Sequence, residues 1–279
     1  MALIDLSAAL EMAVCSDTGR VRQLNEDAVL ANATLGLAVL ADGMGGYNAG
    51  EVASSMATAV LGSELEHLFN ARPPCQPAAS GRSFAEEALT DVIARTNAAI
   101  YQAAQSQAQY TGMGTTLVAV QFYDDRVLVA HIGDSRLYRL RGGELRQLTR
   151  DHSLLQEQID TGMITAEQAR FSQNKNLVTR ALGVEPTVNT ELNEYDVLPG
   201  DIYLLCSDGL NDMMEDEEIV MTLSALSVNL PLCAAQLVRQ ANDHGGRDNV
   251  SVVLVKIKAA LPSAHGAGGW WRRMRSWFG

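Results

Sequence analysis

Asp42, Asp134 and Asp208 each close an apolar run, and Asp27 and Asp248 each open one. Carboxylates gathered at strand ends repel one another, so a cluster of them calls for cations. No His or Cys stands at matching spacing, and ligation by oxygen alone suits Mg2+ or Mn2+ better than zinc. The sharpest of these stretches is Leu37-Ala-Val-Leu-Ala-Asp-Gly-Met-Gly-Gly46. Its apolar run, bounded by turn residues, predicts a buried strand that delivers Asp42 into a glycine-rich loop. Glycine lets the backbone turn sharply and lets its own carbonyl approach a ligand. A single Asp-Gly is a common turn signal. Its recurrence at strand ends, with Arg22 close in sequence to Asp27, points to hard-cation or phosphate chemistry.

Composition narrows the classes. The 279 residues suffice for one large domain or two small ones, and 47% hydrophobic residues support a core. A net charge of −12 argues against nucleic acid as a partner. Cys15, Cys75, Cys206 and Cys233 are scattered without a C-x-x-C pair, which speaks against zinc ribbons and disulfide frameworks and fits a reducing compartment. The opening residues lack a basic region, and Asp5 and Glu11 interrupt their apolar run, unlike a signal peptide. No apolar stretch is long enough to span a bilayer. The expectation is a cytoplasmic protein.

The elements that must position the acids follow from periodicity. Strands are predicted at 13–16, 28–31 and at the Asp42 run, then helices over 50–61 and from Phe84 to about Gln107. Residues 70–81 read as a loop from their Pro, Ser and Gly. Strands at 115–122, 127–132, 137–140 and 145–148 have links too short for parallel crossovers, so they are expected to pair as one antiparallel meander. The stretch 150–175 is polar, with helices expected at 154–159 and from Thr165. A strand at 201–206 ends in Asp208-Gly209, helices follow at 215–226 and 231–242, and a last strand spans 250–257. Without repeats or a dividing linker, the body reads as one α+β domain with helices outside antiparallel sheets.

The motifs Gly19-Arg-Val-Arg22-Gln-Leu-Asn25-Glu26-Asp27, Ala41-Asp42-Gly43-Met-Gly-Gly46, Gly114-Thr-Thr116, Gly133-Asp134-Ser-Arg136, Ser207-Asp208-Gly209-Leu-Asn-Asp212 and Asp248-Asn249 occur in this order. In this the chain resembles the metal-dependent protein serine/threonine phosphatases of type 2C, the PPM family, and most of all its bacterial branch. The resemblance runs from about Ala13 to Ile257. It implies an αββα fold, an antiparallel β-sandwich flanked by helices on both faces, in a monomer whose domain spans residues 1–258. It also implies hydrolysis of phosphoserine and phosphothreonine in proteins, opposing a bacterial serine/threonine kinase.

The site residues implied by the resemblance are specific. Asp42 would bridge two Mn2+ or Mg2+ ions, with Asp208 and Asp248 completing the first. The Gly43 carbonyl would touch the second, and Glu26 and Asp27 would hold its waters. A third cation would fall to Asp134, Asp208 and Asp212. Arg22 matches the arginine that clamps the substrate phosphate, a role its planar fork suits. A hydroxide between the two ions would attack phosphorus in line, without a phosphoenzyme. Animal members carry a histidine two residues after the bridging aspartate. Met44 stands there in this chain, as is common in bacterial members, so the leaving-group proton must come from elsewhere.

The rival readings are weaker. A phosphoprotein-binding module of the same fold would have lost metal aspartates, and all are present. A nucleotide hydrolase would want a P-loop, and no such motif occurs. Cys15-Ser-Asp-Thr-Gly-Arg20 has one residue too few for a cysteine-phosphatase loop, so Cys15 reads as a strand residue. His131, His152 and His244 read as core or loop histidines. The polar stretch 150–175 sits where the family's flap lies and is expected to gate substrate selection. Residues 259–269 read as a flexible linker. After it, Trp270, Trp271, Met274, Trp277 and Phe278 share one helical face, with Arg272, Arg273 and Arg275 off it. That tail, 270–279, suits an anionic membrane surface, a partner's groove or the acidic body itself.

Overall fold

The computed structural model describes residues 5–46, 49–78, 80–165, 168–169 and 177–262. The expected helix from Thr165, much of the stretch 166–176, and the tail 270–279 lie outside them. In chain order the elements are β1 (Leu10–Asp17), β2 (Asp27–Asn32), β3 (Leu37–Met44), α1 (Ala49–Ala71), α2 (Phe84–Ser106), β4 (Gly114–Thr115), β5 (Leu117–Tyr123), β6 (Arg126–Ile132), β7 (Arg136–Arg141), β8 (Glu144–Gln147), α3 (Leu154–Asp160), β9 (Glu191–Asp196), β10 (Ile202–Cys206), α4 (Asp208–Asn211), α5 (Asp216–Leu226), α6 (Leu230–Asp243) and β11 (Val250–Ile257).

Two antiparallel sheets stack face to face. One runs β1-β11-β10-β7-β8, and the other runs β2-β3-β5-β6-β9 with β4 paired to β3. The strands read as nearly continuous apolar runs because both faces of each sheet are covered. On β3, Ala38 and Leu40 face the layer between the sheets, while Leu37, Val39 and Ala41 pack under α1 and α2. On β11, Val253, Val255 and Ile257 point inward and Val250, Val252 and Leu254 point to α5 and α6. The result is helix, sheet, sheet, helix, as the α+β expectation and the resemblance both imply. Among the described residues, no helix is long and apolar enough to cross a membrane.

Local signals place the helices. Ser83 caps α2 by accepting from the Glu86 amide, and Glu215 with Glu218 forms a capping box on α5. Asn229 caps α6, whose first turn also holds Pro231.

The expected meander is corrected. β5 and β6 pair in one sheet, and β7 and β8 in the other, so β6 and β7 do not pair at all. The chain crosses between the sheets at Gly133-Asp134-Ser135, where Gly133 takes φ +105°. Each strand finds its second partner elsewhere, β9 for β6 and β10 for β7. β9 has no counterpart in the periodicity, because its sequence Glu-Leu-Asn-Glu-Tyr-Asp is polar and partly exposed at a sheet edge. Leu261, read from the sequence as linker, is buried in the layer between the sheets.

In that inner layer the Phe122 and Tyr203 rings meet edge to face, their centroids 5.2 Å apart. Phe122→Ala is expected to cost about 3–5 kcal/mol through lost burial and the cavity left behind. Urea unfolding of the full chain in EDTA measures it, and a loss below about 1 kcal/mol would mean that the sheets close over the gap.

Candidate metal centre

The aspartates are assembled where strand ends of the two sheets meet. β2 and β3 pair in a register that sets Asp27 opposite Asp42. Asp208 opens α4 directly after β10, Asp248 immediately precedes Asn249 and β11, and Asp134 lies in the crossing between the sheets. Hydrogen bonds fix these ends within and between the sheets. Ser207 Oγ donates across the sheets to Asp27 Oδ2 at 2.8 Å, and the Ser207 amide donates to the Ser251 carbonyl of its own sheet at 3.1 Å. Asn249 accepts from the Glu26 amide at 2.8 Å, and its Nδ2 donates to the carbonyls of Thr18 and Leu24. The Asp42 amide donates to Thr116 Oγ1 at 3.0 Å, and the Asp42 carbonyl accepts from the Thr116 amide and from Thr115 Oγ1.

Gly43 is held by close packing. Its amide donates to the Glu26 carbonyl at 3.1 Å, and a Cβ there would meet the Gly50 carbonyl oxygen at 2.1 Å. The first turn of α1 thereby sits directly against the Asp42 loop. Backbone N–H groups of Gly50 and Glu51 bond Glu26, favouring its ionised form, although burial outweighs them and raises its pKa.

The electrostatics show which acids are neighbours. Asp42 is pushed well above the usual carboxylate range by burial first, then by the charges of Asp27, Asp208, Asp134 and Asp248. Asp208 is raised likewise by burial, then by Asp134, Asp212, Asp248 and Asp27. Burial lifts Asp27 and Asp134 to about 6 each. Asp27 Oδ1 is buried without a hydrogen-bond partner. An orphaned carboxylate oxygen among buried, mutually repelling carboxylates is a donor set that fits hard divalent cations. Arg22 stands at the rim, half exposed, with Nη2 2.7 Å from Asp248 Oδ2. The structure thus brings together Asp27, Asp42, Asp134, Asp208, Asp212 and Asp248, with Glu26, Gly43 and Arg22 alongside. Ser207, Thr116 and Asn249, whose side chains hold the acids in place, stand inside the sequence motifs but carried no role there.

The histidines follow a different pattern. Among the described residues, the one trio of His, Cys, Asp or Glu with ligand atoms all within 4.8 Å of one another is His131, His152 and Glu191. No trio of the aspartates is that tight. His131 and His152 are buried, as read from the sequence, but their meeting with Glu191 depends on the β6–β9 register, which sets His131 opposite Glu191. His244 bonds the Met213 carbonyl and is a loop histidine. Cys15 lies on β1 opposite Val252, and burial raises its pKa, away from a nucleophilic thiolate.

An αββα sandwich with an acid cluster at its joined strand ends and an arginine at the rim defines a metal-dependent phosphatase class. Residues 17–241 match the Protein phosphatase 2C family, and the chain belongs to it. It is 40% identical over 255 residues to the serine/threonine protein phosphatase PstP of Mycobacterium tuberculosis, covering 90% of this chain and 46% of that protein. The chain thus spans about half the length of that relative. It is 39% identical over 250 residues to the serine/threonine phosphatase Stp of Listeria monocytogenes, covering 86% of this chain and 93% of the other. The crystal structure of the PstP catalytic domain in complex with two manganese ions superposes with a TM-score of 0.76 at 40% identity, over 89% of this chain and 98% of that one.

Protons held by the raised carboxyls compete with cations. Below about pH 6, Asp27 and Asp134 are largely protonated in the ion-free protein, and burial with neighbouring carboxylates raises Asp42 and Asp208 in the same direction. Mn2+ affinity is therefore expected to rise from pH 5 to pH 7.5, with proton release on binding that shrinks as pH rises. Calorimetry in buffers of different ionisation enthalpy reads both quantities. An affinity independent of pH would contradict this assignment of the acids.

Proposed function

We propose that this chain hydrolyses phosphoserine and phosphothreonine in proteins, opposing a serine/threonine kinase, with Mn2+ or Mg2+ held among its aspartates. The observation that carries this reading is the gathering of buried aspartates at the joined strand ends, Asp27 opposite Asp42 with Asp27 Oδ1 lacking a partner, beside Arg22 on Asp248. Family membership supports it. Asp42 would serve two cations at once, Asp208 and Asp248 the first, and the Gly43 carbonyl with Glu26 and Asp27 the second. Asp134, Asp208 and Asp212 would take a third. Ions bound there supply a water nucleophile at neutral pH and neutralise charge on the phosphoryl oxygens.

The chain's own residues do the rest. Thr115, Thr116 and Ser207 hold the carboxylates at fixed positions, so that little reorganisation is needed as charge develops. Arg22 presents a planar fork to the phosphate, exchanging its contact with Asp248 for the substrate. Met44 has no proton to give, so the leaving alkoxide is protonated by another group.

Asp42→Ala, Asp208→Ala and Asp248→Ala are each expected to abolish turnover of a phosphothreonine peptide, as is EDTA. Full activity in EDTA would overturn the mechanism. Arg22→Ala is expected to raise KM about tenfold or more, since a charge-assisted hydrogen bond is worth about 1.5–3 kcal/mol. An unchanged KM would return Arg22 to a structural pairing with Asp248.

The domain assignment extends this reading. The phosphatase domain would be monomeric, and the Trp/Arg tail at 270–279 would contact an anionic membrane surface, through burial of its apolar face and charge attraction. Co-sedimentation with anionic vesicles is expected for the full chain and not for a version ending at Gly269. Equal sedimentation of the two would sink membrane contact by the tail.

A further inference from the structure

His131, His152 and Glu191 stand outside the acid cluster, and no step above uses them. Their ligand atoms come as close as those of a cation site. The hydrogen bonds decide otherwise. His131 Nε2 lies 2.8 Å from the Gly133 carbonyl oxygen, which only accepts, so Nε2 carries the proton. Burial and the neighbouring His152 ring push the His131 pKa down to about 4, so the ring is neutral at pH 7. The Gly133 amide donates to His152 Nδ1 at 3.2 Å, so that nitrogen offers its lone pair. His152, its pKa also lowered by burial, is then neutral with its proton on Nε2, facing Glu191 Oε2 at 3.4 Å. A cation on that nitrogen would have to displace the proton while the other nitrogen stayed occupied by Gly133. His131 Nδ1, buried without a partner, is left as a single open imidazole lone pair. Two ready donors, one of them a half-exposed carboxylate, are too few for a transition-metal site.

The same bonds have a common target. Both hydrogen-bonding groups of the Gly133 peptide are held by imidazoles, and the Gly133 carbonyl also accepts from the His152 amide at 2.8 Å. Gly133 takes φ +105°, and a Cβ there would meet Thr116 at 2.7 Å, so the turn has little other freedom. On the far side of Asp134, Arg136 forks onto Asp151, with Nε at 3.0 Å from both oxygens and Nη2 at 2.6 Å from Oδ2. Residues 151 and 152 therefore grip both flanks of Asp134. The grip continues outward, because the His152 carbonyl accepts from the Thr179 amide and Ser153 bridges to Val178. At the other end of the excursion Leu182 bridges Thr115, whose hydroxyl bonds the Asp42 carbonyl.

The geometry points to His131, His152 and Glu191 as positioning residues that fix the Gly133–Asp134 turn and fasten it to the root of the excursion between β8 and β9. The consequence for catalysis rests on the phosphatase reading and on Asp134 as a ligand of the third cation. Glu191 orients His152, His152 and His131 hold the two sides of Gly133, and the turn sets Asp134.

The experiment uses the full chain with His131→Ala, His152→Ala and Glu191→Ala, the last at a half-exposed position where folding is safe. His131→Gln keeps a donor at the Nε2 position, and His152→Asn keeps an acceptor at the Nδ1 position. The alanine variants are expected to speed amide hydrogen exchange at residues 133–136 about tenfold, the scale of one buried hydrogen bond. In Mn2+ titration calorimetry they are expected to weaken the weakest binding event by about tenfold while sparing the tighter ones, with Gln and Asn restoring both readouts to within about threefold. Unchanged exchange overturns the clamp. Faster exchange with the Mn2+ events unaltered, or with no weak event in the unmodified chain, overturns the positioning role. Stoichiometric Co2+ or Zn2+ lost on Glu191→Ala overturns both, in favour of a cation site. Failure to turn over any phosphopeptide, with the exchange and Mn2+ results as expected, defeats the phosphatase reading alone.

Discussion

The constraint behind the rest of this structure is the repulsion among its buried aspartates. Asp42 and Asp208 are each raised by burial and by four other carboxylates, and Asp27 and Asp134 rise to about 6. One pKa unit corresponds to about 1.4 kcal/mol. Several units across a cluster therefore weigh against a net folding stability of only about 5–15 kcal/mol. A scaffold that tolerates this must be rigid at those positions and must draw its stability elsewhere.

The layers supply both. Each sheet is buried on both faces, so three apolar clusters surround the acid-bearing strand ends without including them. At the ends themselves, much of the bonding is to backbone. Thr115 and Thr116 hold the Asp42 peptide, Asn249 ties down the loop between β1 and β2 at Thr18, Leu24 and Glu26, and Gly43 packs against the first turn of α1. Backbone clamps of this kind fix where a carboxylate stands while leaving its oxygens to a ligand. The orphaned Asp27 Oδ1 shows the result.

The excursion between β8 and β9 is attached to this centre at both of its ends, through Asp151 and His152 near Asp134 and through Leu182 near Asp42. Arg22, half exposed, shares its guanidinium with Asp248.

Much of the chemistry was legible in the residues alone. Asp-Gly at the ends of apolar runs, in a fixed order with Arg22 and the final Asp-Asn, was enough to identify the family and to single out acids that the fold brings near one another, because those motifs are local. The helices and most strands were legible for the same reason, since period and caps are short-range properties. What the sequence could not supply was pairing. Short links between β5, β6, β7 and β8 suggested one meander, yet Gly133 sends the chain from one sheet to the other. β9, polar and at an edge, left no periodic signal. Without β9 there was no way to see that His131 and Glu191 face each other, or that His152 joins them on Gly133. Side-chain type and spacing determine which groups can bind a cation or a phosphate. Register between strands distant in sequence, set by burial of both sheet faces, decides which of those groups meet.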